Sequence, residues 1–218
     1  MAKTIKHTED GQALWGDADH LEIAQSQSFT ELIFELLSER APSPAELKIF
    51  ELILNLSIDH GPDTPSAVKV MEAAKNGEDM SKAVASGIEQ IGDVHGGAAE
   101  PLMKELYRIK NQESGVKDVV AEYVNSGKKM PGLGHRIYKD KDPRAELIFQ
   151  TLGGSEFTDI LKEIQQELVT QSGKSLPINV DGAIAAALCT MGFEPRAGKA
   201  IFIIARTPGL IGQYLNHS

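Results

Sequence analysis

Three of the six histidines in this sequence stand directly beside glycines that would end a helix or turn the chain. His60 and His95 each precede a glycine, and His135 follows the glycine-containing turn 131–134. Loop positions of this kind let side chains converge on a cleft and let the backbone approach a ligand closely. One such histidine is more typical of a structural hydrogen bond to a carbonyl, but three together indicate a functional site.

A metal centre is the first alternative for three histidines. Metal sites usually include two ligands separated by only a few residues, whereas these three are far apart in the sequence. Cys189 is the only cysteine, which excludes an intrachain disulfide and a cysteine-rich metal site. The pattern therefore favours a site without metal, and the three-histidine metal site remains the alternative.

A basic segment surrounds the third histidine. Between residues 128 and 144 the sequence has two acidic residues, Asp140 and Asp142, and six basic ones: Lys128, Lys129, Arg136, Lys139, Lys141 and Arg144. Such a run is usually a solvated loop, but here it encloses a glycine-rich turn in a protein of net charge −9. This combination favours a site for phosphates or carboxylates.

Two further charged residues stand next to strongly apolar runs. Asp181 follows Asn179-Val180, and on its own it is most simply explained as the N-cap of the helix that follows. The alternative is a partly desolvated carboxylate that can act as a base. Arg206 interrupts an apolar helix, where a cation needs an anionic partner.

The composition indicates a soluble globular protein. The chain has 218 residues, 41% of them hydrophobic and 24% charged, which is ordinary for a folded protein and argues against disorder. Its net charge of −9 argues against nucleic acid or an anionic membrane as the main partner. The N-terminus lacks the apolar core of a signal peptide, and no apolar run approaches the roughly 18 residues of a membrane span. We expect a cytoplasmic protein.

Helix signals dominate the whole chain. Capping residues, several of them followed by proline at the first helical position, predict helix starts after Ser28, Ser43, Thr64, Asp79, Asp142 and Ser155. Apolar helices are also predicted over 181–192 and from 195 to about 215. Because no segment shows convincing strand alternation, the predicted fold class is all-α.

Taken together, these residues resemble the citrate synthase superfamily from about residue 28 onward. The matching stretches, in the family's order, are 59–62, 91–100, 131–139, 142–144, 179–181 and 205–209. The Asp-His-Gly-Pro and Asn-Val-Asp-Gly forms are more similar to citryl-CoA lyase and to the lyase portion of ATP-citrate lyase than to citrate synthase. The His-Gly-Gly form at His95 is shared with citrate synthases.

The resemblance implies a fold and an assembly. It implies a large helical domain, here reduced, that comprises residues 1–97 and 196–218 and forms the dimer. A smaller inserted helical domain, residues 98–195, would close over an active-site cleft. The expected state is a homodimer or a higher homo-oligomer, with no nucleic acid and no membrane as partner.

The resemblance also implies roles for individual residues. Asp181 would be the base at the acetyl-CoA methyl group, His95 would donate to the thioester oxygen, and His135 would bind the carbonyl oxygen of oxaloacetate. The carboxylates would be held by His60, Arg136, Arg144 and Arg206. Coenzyme A would be bound by Pro131, Gly132, Leu133, Gly134, Lys174 and Asn179. The CoA thioester is a substrate, and no permanently bound cofactor is expected.

Three activities are compatible with this resemblance. The motifs favour a lyase that cleaves citryl-CoA to acetyl-CoA and oxaloacetate. The alternatives are citrate synthase, which also hydrolyses the thioester, and a catalytically weak paralogue that binds a CoA ester or an organic acid. Since the sequence stops at Ser218, we expect no C-terminal arm that gives an arginine to the partner's site. We therefore expect weak use of oxaloacetate or a preference for an acceptor with fewer charges.

Overall fold

The computed structural model describes residues 4–92 and 96–218, which separate into two compact units, Met1–Leu52 and Ile53–Ser218. Helix α3 (Pro44–Ser57) contains the boundary between them. The division expected from the family resemblance, with 98–195 inserted between 1–97 and 196–218, stays a prediction.

The first unit begins with a small antiparallel sheet. Strands β1 (Ile5–His7), β2 (Ala13–Trp15) and β3 (Ala18–Asp19) pair in sequence order, and helices α1 (His20–Ser26) and α2 (Phe29–Ser38) follow. The buried Trp15 indole donates to Glu35 Oε2 at 3.0 Å, which links the sheet to α2. The sequence did not predict this sheet, because strands of two or three residues are too short to show a period of two.

The second unit is entirely helical among its named elements. Its helices are α4 (Pro65–Lys75), α5 (Met80–Ile88), α6 (Ala99–Lys110), α7 (Val116–Ser126), α8 (Pro143–Leu152), α9 (Glu156–Ser172), α10 (Val180–Thr190) and α11 (Pro195–Leu215). The predicted all-α fold class is confirmed. No helix of the described residues is long and apolar enough to cross a membrane.

The predicted helix starts are confirmed at every capping residue. The Ser28 and Ser43 hydroxyls each accept from the third residue of the helix, whose glutamate carboxylate accepts the serine's backbone N–H in return. The side chains of Asp142 and Ser155 cap α8 and α9 by accepting from a backbone N–H in the first turn. Local hydrogen bonds of this kind depend only on neighbouring residues, which is why the sequence reveals them.

The N-cap of α10 differs from the prediction. Asn179, not Asp181, is the N-cap, because its side chain accepts from Gly182 N at 3.1 Å. Asp181 lies inside the first turn, so its carboxylate is not used for capping. Helix α3 ends at Ser57, which leaves His60 in a loop, and α5 ends at Ile88.

Helix α10 is the centre of the second unit. Every residue from Gly182 to Cys189 is buried, and the helix packs against α6, α8, α9 and α11. Its first turn is pressed onto the loop before α8, where a Cβ added to Gly182 would lie 2.5 Å from Gly132 O. Only glycine permits this approach, and the positive φ of 77° at Gly132 also favours glycine.

Two glycine substitutions test this packing. We expect Gly182→Ala to lower the free energy of unfolding by about 1–3 kcal/mol, because the added methyl group meets rigid backbone. Gly212→Ala is the matched control, since its helical Cβ would meet nothing within 4 Å. It should raise stability by about 0.5–1 kcal/mol through lower backbone entropy in the unfolded chain. Urea unfolding measures both, and equal effects would contradict the packing argument.

Candidate functional site

The second unit brings the predicted site residues together in a small cavity. Its volume is about 130 Å³, and it is enclosed by the loop after α3, the loop before α8 and the first turns of α8 and α10, with one side chain from α11. The lining residues are His60, Gly96, His135, Arg144, Asn179, Val180, Asp181 and Phe202. Five of the predicted site residues, which are far apart in the sequence, therefore line one cavity: His60, His135, Arg144, Asn179 and Asp181.

Arg144 stands between two of the histidines. Its Nη1 lies 3.4 Å from His60 Nε2, and its Nη2 lies 3.1 Å from His135 Nε2. The opposite edge of the guanidinium is bound to the carboxylate of Asp142, with Nη2 donating to Oδ2 at 2.8 Å. A fixed cation thus occupies the space between the two imidazole rings.

Backbone contacts fix the tautomer of His135. Its Nδ1 accepts the backbone N–H groups of Ile137 and Tyr138, both at 3.1 Å, so in the neutral ring the proton is on Nε2. Burial, and then the charge of Arg144, lower the pKa of His135, which favours the neutral ring. His135 Nε2 and Arg144 Nη2 are then both donors, and an oxygen atom of a ligand would satisfy both of them.

His60 is also neutral at pH 7. Burial, followed by the charges of Arg206 and Arg144, lowers its pKa to about 4. The Leu56 backbone and the charge of Asp59 oppose this shift only in part. Because arginine can only donate, the contact with Arg144 Nη1 makes His60 Nε2 the acceptor. His60 therefore presents an acceptor nitrogen to the guanidinium of Arg144, whereas His135 presents a donor nitrogen to it.

Asp181 projects from the first turn of α10 into this cavity. Burial raises the pKa of its carboxyl group above the ordinary value, although Arg144 and Arg206 oppose the shift. The nearby Asp142 carboxylate acts in the same direction as burial. A carboxyl group with a raised pKa close to cations is a candidate for proton transfer.

Arg206 is a buried cation with unused donors. It is 1% exposed, and its Nε donates to the carbonyl of Ser57 at 2.9 Å, while Nη1 and Nη2 have no hydrogen-bond partner within 4–92 and 96–218. Its guanidinium carbon lies 4.7 Å from the centre of the Phe202 ring. Burial lowers the pKa of Arg206, and the charges of Asp59 and Asp181 counteract this only in part. The anionic partner expected from the sequence is not a hydrogen-bonded side chain among the described residues.

A larger cavity of about 740 Å³ adjoins the same loop, and His135 borders both cavities. One side of it is apolar, with Val124, Met130, Leu168 and Leu176 among its lining residues. Its cationic residues are Lys128, Lys129, Arg136 and Lys174. The space suits a long ligand that has both apolar and anionic parts.

The residues predicted to bind coenzyme A fall into two groups. Leu133, Gly134 and Lys174 line the larger cavity. In the described structure, Gly132 instead packs under α10, next to Pro131, and Gly132 O accepts from Asn179 N at 3.0 Å. Asn179 also donates from Nδ2 to Gly134 O at 2.8 Å, so it holds the loop in place.

Arg136 is not among the residues that line the small cavity. Arg136 is exposed and lines the larger cavity as well as a third cavity of about 380 Å³ beside His60 and Tyr138. His95 lies outside the described residues, and its role stays a prediction. The described residue next to it is Gly96, which has a φ of 77° and no space for a Cβ, because the Phe202 ring is in contact.

Several residues of the site were missed or undervalued by sequence reasoning. Asp142, Tyr138 and Phe202 were not predicted, and Lys128 and Lys129 were counted only as part of a basic segment. The Asp-Pro-Arg order contained a signal, because an N-cap aspartate can also reach an arginine two residues later. Within 4–92 and 96–218, no three histidine, cysteine, aspartate or glutamate side chains are placed to hold a metal ion.

The fold and this site define the class to which the protein belongs. The chain is a member of the citrate synthase family, because the family model described as "Citrate synthase, C-terminal domain" matches residues 2–218. The resemblance found in the sequence is thereby confirmed.

Solved structures of related enzymes have the same fold. Citryl-CoA lyase from Hydrogenobacter thermophilus is 34% identical with a TM-score of 0.89, and the match covers 100% of this chain and 86% of that one. ATP citrate lyase from Methanosaeta concilii, solved in complex with (3S)-citryl-CoA, has a TM-score of 0.86. At 21% identity, over 99% of this chain and 38% of that chain, it shows the fold alone.

Curated sequences give a similar result. The probable ATP-citrate synthase of Caenorhabditis elegans is 29% identical over 202 residues, which are 83% of this chain and 18% of that protein. The citrate synthase of Deinococcus radiodurans is 29% identical over 192 residues, which are 84% of this chain and 50% of that protein. The chain therefore spans half or less of the length of these two relatives.

The lowered pKa of His60 predicts a pH dependence of stability. Unfolding exposes a ring of ordinary pKa 6.5, which binds a proton that the native ring, with a pKa of about 4, does not bind. Stability should therefore decrease as the pH falls from 6.5 towards 4. In His60→Gln this decrease should be smaller, whereas the exposed-site control His7→Gln should behave like the native protein. Urea unfolding across this range measures it, and an unchanged slope in His60→Gln would contradict the assignment.

The unpaired guanidinium of Arg206 predicts an unusual stability effect. We expect Arg206→Met to raise the free energy of unfolding of the ligand-free protein by about 1–3 kcal/mol, because it removes an uncompensated buried charge. Arg108→Met is the control, since Arg108 is paired with Glu105 and Glu122 and its loss should cost up to about 1 kcal/mol. Substantial destabilisation by Arg206→Met would show that the guanidinium is paired.

Proposed function

We propose that this chain cleaves citryl-CoA to acetyl-CoA and oxaloacetate, and that it catalyses the reverse C–C bond formation by the same chemistry. The observation that carries the proposal is the small cavity, where Arg144 and the carboxyl group of Asp181 line the same space and the buried charge of Arg206 is near enough to affect the pKa of Asp181. Two neutral histidines, His60 and His135, also line this cavity. Such a cavity is suited to a compound that has several carboxylates and a proton to be moved.

The citrate part of the substrate would supply the missing anions. Two nitrogens of Arg206 have no partner among the described residues, and Arg144 turns Nη1 and Nη2 towards the two histidines of the cavity. A carboxylate pairs well with the planar fork of an arginine, and a water-poor cavity strengthens each contact. Arg136, which is exposed at the larger cavity, is the remaining arginine of the predicted carboxylate set.

His135 would hydrogen-bond the oxygen that is a hydroxyl group in citryl-CoA and a carbonyl in oxaloacetate. This role agrees with a proton on Nε2, because a donor stabilises the negative charge that this oxygen has after the hydroxyl group loses its proton, and that develops on it when the C–C bond forms in condensation. Arg144 Nη2, 3.1 Å away, is a second donor for the same oxygen. The neutral ring is required, since the backbone N–H groups of 137 and 138 already occupy Nδ1.

Asp181 would move the proton on the acetyl carbon. In cleavage, the carboxylate of Asp181 would accept the proton of the citryl-CoA hydroxyl group, the C–C bond would break and its electron pair would form the enolate of acetyl-CoA. Asp181 would then give that proton to the enolate carbon, and in the condensation direction its carboxylate would remove a proton from that carbon and return it to the new hydroxyl group. His95 would donate to the thioester oxygen, a role that rests on the family resemblance.

The larger cavity would hold the coenzyme A part. Its apolar wall suits the pantetheine chain, and its four cations suit the phosphates. Two related structures contain compounds of this kind: the ATP citrate lyase named above contains (3S)-citryl-CoA, and citrate synthase from Thermoplasma acidophilum contains carboxymethyl coenzyme A and oxaloacetate. They support the view that the CoA compound is a substrate rather than a permanent cofactor.

The lyase activity is favoured over the synthase activity by the degree of similarity. This chain is 34% identical to the citryl-CoA lyase of Hydrogenobacter thermophilus, with a TM-score of 0.89, and 29% identical to the citrate synthase of Deinococcus radiodurans. A homodimer in the cytoplasm stays part of the proposal.

Turnover of synthetic citryl-CoA tests the proposed function. A lyase produces oxaloacetate, detected by reduction with malate dehydrogenase and NADH, without release of free thiol. A synthase produces free coenzyme A, detected by a thiol reagent, from citryl-CoA and from acetyl-CoA plus oxaloacetate. Binding of citryl-CoA without either product would identify a binding paralogue and would overturn the proposal.

Asp181→Asn tests the role of the carboxyl group. The variant keeps the shape of the side chain and loses the transferable proton, so kcat should fall by about 10²–10⁴-fold while CoA-ester binding is retained. Asp159→Asn is the matched control, because Asp159 is an exposed residue in the first turn of α9, and it should keep native kcat. A native kcat in Asp181→Asn would show that this carboxyl group is not the base.

A further inference from the structure

We propose that Asp142 is a positioning residue, which fixes the edge of Arg144 that a substrate can use and ties this arginine to the helix that carries Asp181. The inference rests on the proposed function, because it assigns to Arg144 a substrate carboxylate or oxyanion. It concerns a residue that does not itself touch the substrate. Its basis is the hydrogen-bond pattern around one buried carboxylate.

Both oxygens of Asp142 bind Arg144. The residue is 1% exposed, Oδ1 accepts from the backbone N and from Nε of Arg144 at 3.0 Å each, and Oδ2 accepts from Nη2 at 2.8 Å. Burial alone would raise the pKa of Asp142, but the hydrogen bonds and the charge of Arg144 hold it below its ordinary value. The carboxylate is therefore ionised and engaged.

This pairing restricts the substrate to one edge of the guanidinium. The edge formed by Nε and Nη2 is occupied by Asp142, so a ligand can use only Nη1 and the outer hydrogen of Nη2. Those donors lie between His60 and His135. A free arginine could instead bind a carboxylate at either edge, and only the Asp142-bound state selects the productive one.

The same carboxylate also reaches α10. Oδ2 accepts from the backbone N of Val180 at 3.1 Å, which is the first residue of α10 and the neighbour of Asp181. One side chain thus fixes the first turn of α8 and the first turn of α10 relative to each other. We infer that the arginine and the base keep their separation through this bond.

Asp142 also affects the charge around Asp181. The ionisable groups that face Asp181 are Arg144 and Asp142 at α8, Arg206 on α11, and the loop residues His60 and His135. Loss of the Asp142 charge would remove a repulsive neighbour and leave the charge of Arg144 uncompensated. Both changes lower the pKa of Asp181, so the acid limb of the condensation rate should move to lower pH.

Asp142→Asn is the test variant, and the adjacent exposed-site variant Asp140→Asn is the matched control. For Asp142→Asn we expect a KM for oxaloacetate about tenfold higher or more, a lower kcat, and the downward shift of the acid limb in condensation with acetyl-CoA. Asp140→Asn should keep the native KM and pH profile. A structural role alone would lower the thermal midpoint and leave KM and the acid limb unchanged.

Arg144→Lys is a second test variant, for use if Asp142→Asn does not fold. Lysine retains the charge and the pairing with Asp142 but has no fork, so it should raise KM for oxaloacetate at least as much. If Arg144→Lys or a folded Asp142→Asn shows native KM, kcat and pH profile, the inference is wrong.

Failure of the proposed function would give a different result. In that case the native protein itself would not interconvert citryl-CoA, acetyl-CoA and oxaloacetate. Calorimetric titration of the native protein and both variants with oxaloacetate then decides the positioning role. A Kd that rises about tenfold in the variants would support it, and an equal Kd or no binding by the native protein would overturn it.

Discussion

The buried N-terminus of α10 is the constraint on which the site depends. Backbone N–H groups in the first turn of a helix have no partner within the helix, and in a buried position water cannot supply one. Here Asn179 satisfies Gly182, and Asp142 satisfies Val180 from a different element. The loop before α8 must therefore lie against this helix end, and with it come His135 and Arg144. The glycine contact between Gly132 and Gly182 makes the approach close enough.

In the site that results, the arginines have more hydrogen-bond donors than the neighbouring carboxylate accepts. Arg144 is compensated by Asp142, but Arg206 keeps two unpartnered nitrogens in a buried position. The neighbouring histidines avoid a further positive charge, because burial and the arginines lower their pKa. A protein that is acidic as a whole thus has two arginines in or beside one small cavity, which suits the anionic substrate proposed above. We expect this arrangement to lower the stability of the ligand-free protein, since a buried cation without a paired anion is unfavourable.

Sequence reasoning succeeded where the physical signal was local. Helix starts at Ser28, Ser43 and Asp142 follow from hydrogen bonds between residues two or three positions apart, and the structure has each of them. The importance of Arg206 followed from a charge inside an apolar run. The small sheet of residues 5–19 was missed because its strands are too short for a periodic pattern, and Asp181 was interpreted as a possible cap because Asn179 competes for the same role.

The sequence by itself determined the helical class and the family, and it drew attention to several of the residues that line the small cavity, since these depend on residue types, their order and their neighbours. Only the tertiary structure decided how the groups act. The tautomer of His135 depends on backbone N–H groups that fold back to it, and the usable edge of Arg144 depends on the buried orientation of Asp142. The raised pKa of Asp181 depends on desolvation by helices distant in the chain. Burial and orientation arise from long-range packing, which no local pattern of residues contains.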